Sequence, residues 1–259
     1  IIIVDNRSSK ENKELLLDIQ KKNPNLIKYI REDKIGLSNA RNRGIKESSG
    51  EIIAFVDDDA IIPPHWMVNI LNHFKLNSSA YVIGSKVIAQ FTSPPPSWLT
   101  KELEVYISSF DKGEESFIMK YNEYPRGVNM AFRKDAFIKA GIFLDCFGRK
   151  GKSLMSYEEI EICYRIEKLG YNIVYIPNAE VYHLIRGNRL NDEWFIERHY
   201  WQGRSEGLFE IIHYGRKHIR DHFLTHLKNM YSKENKYKKS YHKGFIVAIF
   251  QNYFKRNFK

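Results

Sequence analysis

Apolar β-branched runs and amphipathic stretches alternate along the first ninety residues. Residues 1–4 are an unbroken β-branched run, the pattern of a strand buried on both faces. Behind it, Ser8 and Glu11 form a capping-box signature, and Leu15, Leu16 and Ile19 mark one helical face. Residues 26–30 predict a second short strand. Ser38 predicts the cap of a helix through Ser48, which Gly50 terminates. Residues 51–56 predict a third strand, running straight into Asp57, Asp58 and Asp59. Pro63 and Pro64 open a helix whose Trp66, Ile70 and Phe74 fall at i, i+4 and i+8, and residues 80–89 predict another strand.

The middle of the chain is less regular. The SPPPSW run at 93–98 excludes helix and central strand and predicts a loop over the body. GVNMAF at 127–132 predicts a strand edge or turn, followed by a short helix over 134–140. Residues 156–169 predict a helix with Ile162, Ile166 and Leu169 on one face and Gly170 closing it; residues 171–176 predict a strand halted by Pro177. This alternation implies an α/β fold with a mixed, mostly parallel sheet flanked by helices. Ligands in such sheets sit beyond the carboxyl ends of the strands, where this chain places Asp5-Asn6 and the aspartate triplet. Residues 1–90 and 91–215 then form two halves of one domain, and 216–259 a helical extension.

Charge sets that extension apart. The chain of 259 residues carries a formal +10, with 41 Lys/Arg against 31 Asp/Glu. Residues 216–259 hold 12 of the basic residues and only Asp221 and Glu234, so the body balances at 29 each. The tail also carries His218, His222, His226 and His242, interleaved with Phe223, Tyr231, Tyr237, Phe245, Phe250 and Phe254. Such a segment suits an anionic membrane surface, at about 1 kcal/mol per nearby cation, or serves as a packing arm. No nucleic-acid-binding module accompanies the charge, so no nucleic acid is expected as a partner. Two cysteines, Cys146 and Cys163, are too few for a disulfide framework and point to a reducing, cytoplasmic setting, at the inner face of the membrane if the tail docks there. The apolar stretch 244–250 is too short to span a bilayer, and no signal peptide is visible. Because the chain opens directly on a strand, the native N-terminus is expected upstream of Ile1.

Three consecutive aspartates at a strand end repel one another unless a cation neutralises them. Mg²⁺ or Mn²⁺ takes such oxygen ligands together with substrate phosphates. The alternative is a solvated loop or helix cap, which the preceding strand and the lack of neighbouring Lys or Arg in the sequence disfavour. Glu158 and Glu159 stand at a helix start, suited either to accepting a proton or to complementing the helix dipole. His183, just past a strand, is a metal ligand or a structural histidine. Asp5 and Asn6 can bond a nucleobase or ribose, or shape a turn; Arg41 and Arg43 can meet phosphate. The glycine-rich fingerprints of phosphate loops and dinucleotide folds are lacking.

The runs IIIVDNRSS, GLSNARNRGI and GEIIAFVDDDAIIPPHW resemble the nucleotide-binding half of the family 2 inverting glycosyltransferases. GVNMAFRKDAF and SYEEIEICYRIEKLGYNIVYIPNAEVYH resemble their acceptor half, so the likeness covers about residues 1–185. It implies a GT-A (Rossmann-like) fold and transfer of a sugar, with inversion, from a nucleotide-sugar donor, UDP-linked by default, to a saccharide or lipid-linked acceptor, as in surface polysaccharide biosynthesis. It also implies roles: Asp5 at the base, Arg41 near the nucleotide, Asp57 and Asp59 as the DxD pair, and Asn129 lining the donor-sugar pocket. Asp59 is the direct ligand of Mn²⁺ or Mg²⁺, Asp58 or Asp57 lies nearer the ribose, and His183 completes the metal site. Glu159 stands where the family has the aspartate that acts as general base. Two departures matter: the family's opening strand with its P-x-Y-N-like turn precedes Ile1, and Glu replaces Asp at the base position, which keeps both Glu158 and Glu159 as candidates. The rival expectations are a non-catalytic nucleotide- or carbohydrate-binding module of the same fold and a metal-dependent nucleotidyltransferase.

Overall fold

A computed structural model describes residues 1–233 and 235–254. Strand β1 (Ile2–Asp5) pairs in parallel with β2 (Lys28–Arg31), with α1 (Lys10–Lys22) between them. Then follow α2 (Leu37–Glu47), β3 (Ile52–Val56), β4 (Ala60–Ile61), α3 (Trp66–Leu76) and β5 (Ala80–Phe91). The second half holds α4 (Lys101–Glu104), β6 (Phe117–Met119), β7 (Asn129–Arg133), α5 (Lys134–Ala140), α6 (Glu158–Lys168) and β8 (Asn172–Ile185). Three helices close the described chain: α7 (Asp192–His213), α8 (Arg216–Met230) and α9 (Lys236–Ile249).

The main sheet runs β3-β7-β5-β8-β4, with β6 also on β8, so strands from both halves share one core. The mixed α/β architecture matches the sequence expectation, but the sheet is not mostly parallel. Of six strand pairings among the described residues, only β1–β2 and β5–β8 are parallel. The reason is β7, which a loop rather than a crossover helix feeds between β3 and β5, antiparallel to both. Gly127 and Val128 form a turn, as expected, but the strand that follows is no edge: Met130, Ala131 and Phe132 are wholly buried at the sheet's centre. Trp66, Ile70 and Phe74 anchor α3 in that core, as their spacing predicts. In α6, Ile162 and Ile166 are buried while Leu169 is 51% exposed, because the helix ends at Lys168 and the chain turns away.

Pro177 does not end its strand. Ile176 pairs with Ser85 and Val181 resumes opposite Val87, so residues 177–180 bulge out and β8 continues. Ser85 donates its hydroxyl to Ile176 O at 2.6 Å and accepts from Ala179 N at 3.2 Å, replacing ladder bonds that the bulge and proline remove. Two predicted caps also move. Ser9, not Ser8, caps α1 by accepting from Asn12 N, because Asp5 engages the Ser8 hydroxyl. Ser38 lies inside α2, capped instead at Gly36, and donates to Phe147 O at 2.8 Å.

The basic tail is not detached from the body. Helix α9 lies against α7 closely enough that a Cβ at Gly203 would stand 1.9 Å from Tyr241 O, and one at Gly244 1.9 Å from Tyr200 O. Phe245 and Ala248 are wholly buried there. Tyr237 bonds Asp192, and Phe223 packs on the buried cluster of Ile219, Phe245 and Ile249. Much of the tail's aromatic content is therefore internal packing, although Tyr231 and Phe250 are exposed. Glu234, the Phe254 side chain and residues 255–259 lie outside the described residues. No described helix is long and apolar enough to cross a membrane. Gly203→Ala is expected to destabilise the fold by about 3 kcal/mol, since the clash is with backbone that a rotamer change cannot clear. Urea unfolding checks this, read as a lower midpoint at constant slope.

Candidate active site

The acidic triplet forms the turn between β3 and β4. It has no basic neighbour in sequence, yet the fold supplies two. Arg41 Nη2 lies 3.2 Å from Asp57 Oδ1, and Arg189 Nη2 lies 3.0 Å from Asp59 Oδ2. The lack of cationic partners expected from sequence is thus corrected: residues 41 and 189 arrive from α2 and from the turn after β8. The triplet is split by these partners. Asp57 faces Arg41, Asp58 is exposed, and Asp59 faces His183 and Arg189.

His183 is brought beside the triplet because β4 pairs with β8, Ala60 opposite His183. The ring is buried, with Nδ1 3.0 Å from Ile107 O, so that nitrogen donates and carries the proton. Nε2 is then aimed into the crevice, 3.3 Å from Asp59 Oδ1 and 3.3 Å from Arg189 Nη1. A backbone carbonyl that fixes one imidazole nitrogen and aims the other outward is the usual support of a metal-binding histidine. Burial works against charge on Asp59, but His183 and Arg189 outweigh it and hold its carboxyl below the ordinary range. One anionic oxygen donor beside one oriented nitrogen suits a divalent cation. Asp57, expected as a second ligand, pairs with Arg41 through one carboxylate oxygen.

Arg41 joins the turn to α6. Its Nη1 donates to Glu158 Oε1 at 2.8 Å and its Nη2 to Gly127 O at 3.0 Å. A Cβ at 127 would stand 2.7 Å from Arg41 Nη2, so a larger residue there would displace the guanidinium from this position. Burial opposes the guanidinium charge, but Asp57, Glu158 and Glu159 together raise its pKa. Arg43, on the opposite side of α2, pairs with Glu47 at 3.0 Å and is not in the crevice.

The same network separates the two glutamates. Glu158 is buried and ion-paired to Arg41. Glu159 opens on a cavity of about 200 Å³, and both glutamates keep a buried Oε2 without a hydrogen-bond partner. Burial, and then the negative charge of Glu158, push the Glu159 carboxyl up to about 7. Tyr157 makes this helix start possible by adopting a left-handed φ of 77°, a conformation costly to a residue with a Cβ. Its ring packs on Phe209 and its hydroxyl donates to Glu206 at 2.9 Å, which holds the strained turn in place. Strain of this kind collects at functional sites.

At the rim of β1, Asp5 accepts from Ser8 N at 2.7 Å, Tyr29 Oη at 2.7 Å and Arg31 Nη1 at 2.9 Å. Burial alone would raise its pKa; the Ser8 hydroxyl and amide, Tyr29 and Arg31 bring it to about 2. Asn6 ties the loop at 32–36 through Glu32 O, Lys34 O and Gly36 N, the turn-shaping alternative. Asn129 is 1% exposed and donates to Lys86 O and Ala179 O while accepting from Trp66 Nε1. That corrects the expectation of a sugar contact: a buried carboxamide bonded on three sides fixes α3 and the β8 bulge rather than meeting a ligand.

Sequence reading missed Arg126, Arg189 and Arg198. Arg126 and Arg198 line the cavity of Glu159, and each has a buried Nε with no partner. Burial and then Arg149 lower the Arg198 pKa to about 10. The arginine directly before the GVNM run and the one six residues past His183 were the available signals, but neither has a spacing that marks it.

The architecture and this crevice define the GT-A class of glycosyltransferases. Solved structures share the fold: GalNAc-T7 with UDP, GalNAc and Mn²⁺ has a TM-score of 0.60 at 16% identity, covering 99% of this chain and 51% of that one. The mannosyltransferase PcManGT from Pyrobaculum calidifontis, with GDP-Man and Mn²⁺, has a TM-score of 0.58 at 14% identity, covering 97% and 66%. The chain belongs to glycosyl transferase family 2, whose sequence profile matches residues 1–141. It is 25% identical over 190 residues to the glucosyl-dolichyl phosphate glucuronosyltransferase of Haloferax volcanii, covering 73% of this chain and 60% of that protein. It is 24% identical over 209 residues to the succinoglycan biosynthesis protein ExoM of Rhizobium meliloti, covering 80% and 63%. The chain therefore spans less than two thirds of the length of these curated relatives.

Proposed function

We propose that this chain transfers a sugar from a nucleotide-sugar donor, UDP-linked by default, to a hydroxyl of a saccharide or lipid-linked acceptor, with inversion, in the assembly of a surface glycan. The observation that carries the reading is Arg41, which holds Asp57 of the acidic turn and Glu158 of α6 and so sets the donor side and Glu159 in one crevice. Asp59 and His183 are the residues to hold a divalent cation, Mn²⁺ or Mg²⁺, and exposed Asp58 is the carboxylate open to a ribose. Such an ion, when bound, supplies Lewis-acid neutralisation of the departing diphosphate. Asp5 holds Tyr29 and Arg31 at the end of β1, where the base would lie.

On the acceptor side, Glu159 takes the hydroxyl proton while that oxygen forms its bond to the anomeric carbon. The bond from that carbon to the diphosphate oxygen breaks, and the electron pair leaves with the nucleoside diphosphate. Entry from the face opposite the leaving group inverts the anomeric centre. A carboxyl near 7 suits a base that must be free at neutral pH. Arg126 and Arg198 offer buried, unpartnered donors to an anionic group on the acceptor, such as the phosphate of a lipid-linked glycan. Lysines of α9 left at the surface, Lys238 and Lys239 among them, give the chain a contact with anionic lipid.

A panel of nucleotide sugars with Mn²⁺, tested on saccharide acceptors and on lipid-linked acceptors in anionic vesicles, checks the reading. Product of inverted anomeric configuration is expected with one donor. Nucleotide binding without transfer or donor hydrolysis for any pair would favour the binding-module alternative. Equal co-sedimentation with neutral and anionic vesicles would remove the membrane contact.

A further inference from the structure

The joint between α7 and α8 carries a cluster that transfer chemistry does not use. Glu210 lies on the last turn of α7, and His218 and His222, four residues apart, face it from the first turns of α8. His222 Nδ1 is 2.7 Å from Glu210 Oε1, and His218 Nε2 is 3.6 Å from the same oxygen. The three potential ligand atoms lie within 4.8 Å of one another, the one such trio of His, Cys, Asp or Glu among the described residues. A second observation points to a ligand: Glu210 is only 3% exposed, yet its Oε2 is buried without a hydrogen-bond partner, as is His218 Nε2. Buried polar atoms left unsatisfied are costly and ask for an explanation.

We propose that Glu210, His218 and His222 form a zinc-type site, holding a divalent transition-metal ion that clamps α8 onto α7. Tetrahedral coordination with bonds of ~2.0–2.1 Å places ligand atoms about 3.3 Å apart. The observed 2.7 and 3.6 Å bracket that spacing, and all three ligand atoms already lie within 4.8 Å of one another. The ion displaces the proton shared between His222 and Glu210, and the orphan carboxylate oxygen then borders a full positive charge. The His218 and His222 side chains are 38% and 45% exposed, which leaves the outer, fourth position to water. Two imidazoles with one carboxylate favour zinc, cobalt or nickel over Mg²⁺ or Mn²⁺, so metal preference separates this site from the crevice beside Asp59. The consequence is structural: Ile219 of α8 packs with Phe245 and Ile249 of α9, so the clamp fixes the whole basic hairpin to the catalytic body. The site is independent of the proposed transfer reaction.

The test uses the full chain, stripped by a chelator and titrated with zinc against a chromogenic competitor, and separately with cobalt(II), read by the visible absorption of four-coordinate cobalt. One tightly bound equivalent and a thermal midpoint that rises with zinc are expected, both retained in Asp59→Ala. Glu210→Gln, which keeps the side-chain shape, is expected to weaken binding roughly tenfold or more with helical content unchanged, and the His218→Ala/His222→Ala double variant to abolish it. Absence of stoichiometric zinc uptake by the wild-type chain, or zinc bound as tightly by the double variant, overturns the site.

Discussion

Glu159→Gln is expected to lower transfer by about 10²–10⁴-fold, the contribution of a positioned general base, while nucleotide binding stays near normal. The amide keeps the shape of the carboxyl and its place in the cavity but cannot take the acceptor proton. In the wild-type chain the active form is the ionised carboxylate, so kcat/KM is expected to fall about tenfold per pH unit below about 7 and to level off above it. The variant's residual activity is expected to lose that limb. A second readout follows from linkage. Burial and Glu158 raise the folded-state pKa of Glu159 above its unfolded value, so charging it costs stability as pH rises toward 7 and beyond. Glu159→Gln is therefore expected to raise the thermal midpoint at pH 8 and to change it little near pH 4. Near-normal turnover with an unchanged pH profile would place the base elsewhere, and Glu158 is the poorer candidate because Arg41 already holds its carboxylate.

Asp59→Ala is expected to reduce transfer by about 10³-fold, because it removes the anionic oxygen that faces His183 Nε2. Weakened Mn²⁺ binding, measured by the resonance signal of the free ion, is the direct readout and does not depend on turnover. The chain is expected to remain folded, since Asp59 is only partly buried and lies at a turn rather than in the core. Unchanged Mn²⁺ affinity would sink the assignment of Asp59 and His183 to the cation. Arg189 sharpens the test. Its guanidinium bridges Asp59 and His183 in this structure, so metal uptake has to move it, and the variant frees it from one of these two partners.

What was legible in the sequence was local or contiguous. Trp66, Ile70 and Phe74 share a helix face by arithmetic alone, and the aspartate triplet follows a strand because both are written consecutively. The paired glutamates at the start of α6 were legible for the same reason. Most of what failed depended on partners distant in sequence; the Ser8 cap, lost to nearby Asp5, is the exception. Ser38 looked like a cap, but Phe147, over a hundred residues away, takes its hydroxyl. Pro177 looked like a strand end, yet Ser85 on β5 satisfies the groups around the bulge and lets β8 go on to deliver His183. Asn129 looked like a ligand contact until Trp66, Lys86 and Ala179 closed around it.

The sequence by itself determined the alternating strands and helices, the family, and which acids gather at strand ends, because each is a matter of residue order and period. Only the tertiary structure decided that β7 enters the sheet antiparallel, that Arg41 and Arg189 neutralise the triplet, and that Glu159 rather than Glu158 keeps an unpaired carboxylate in the cavity. Charge pairing and burial are set by distance in space, and residues 41, 57, 158 and 189 become neighbours only when the sheet brings them together.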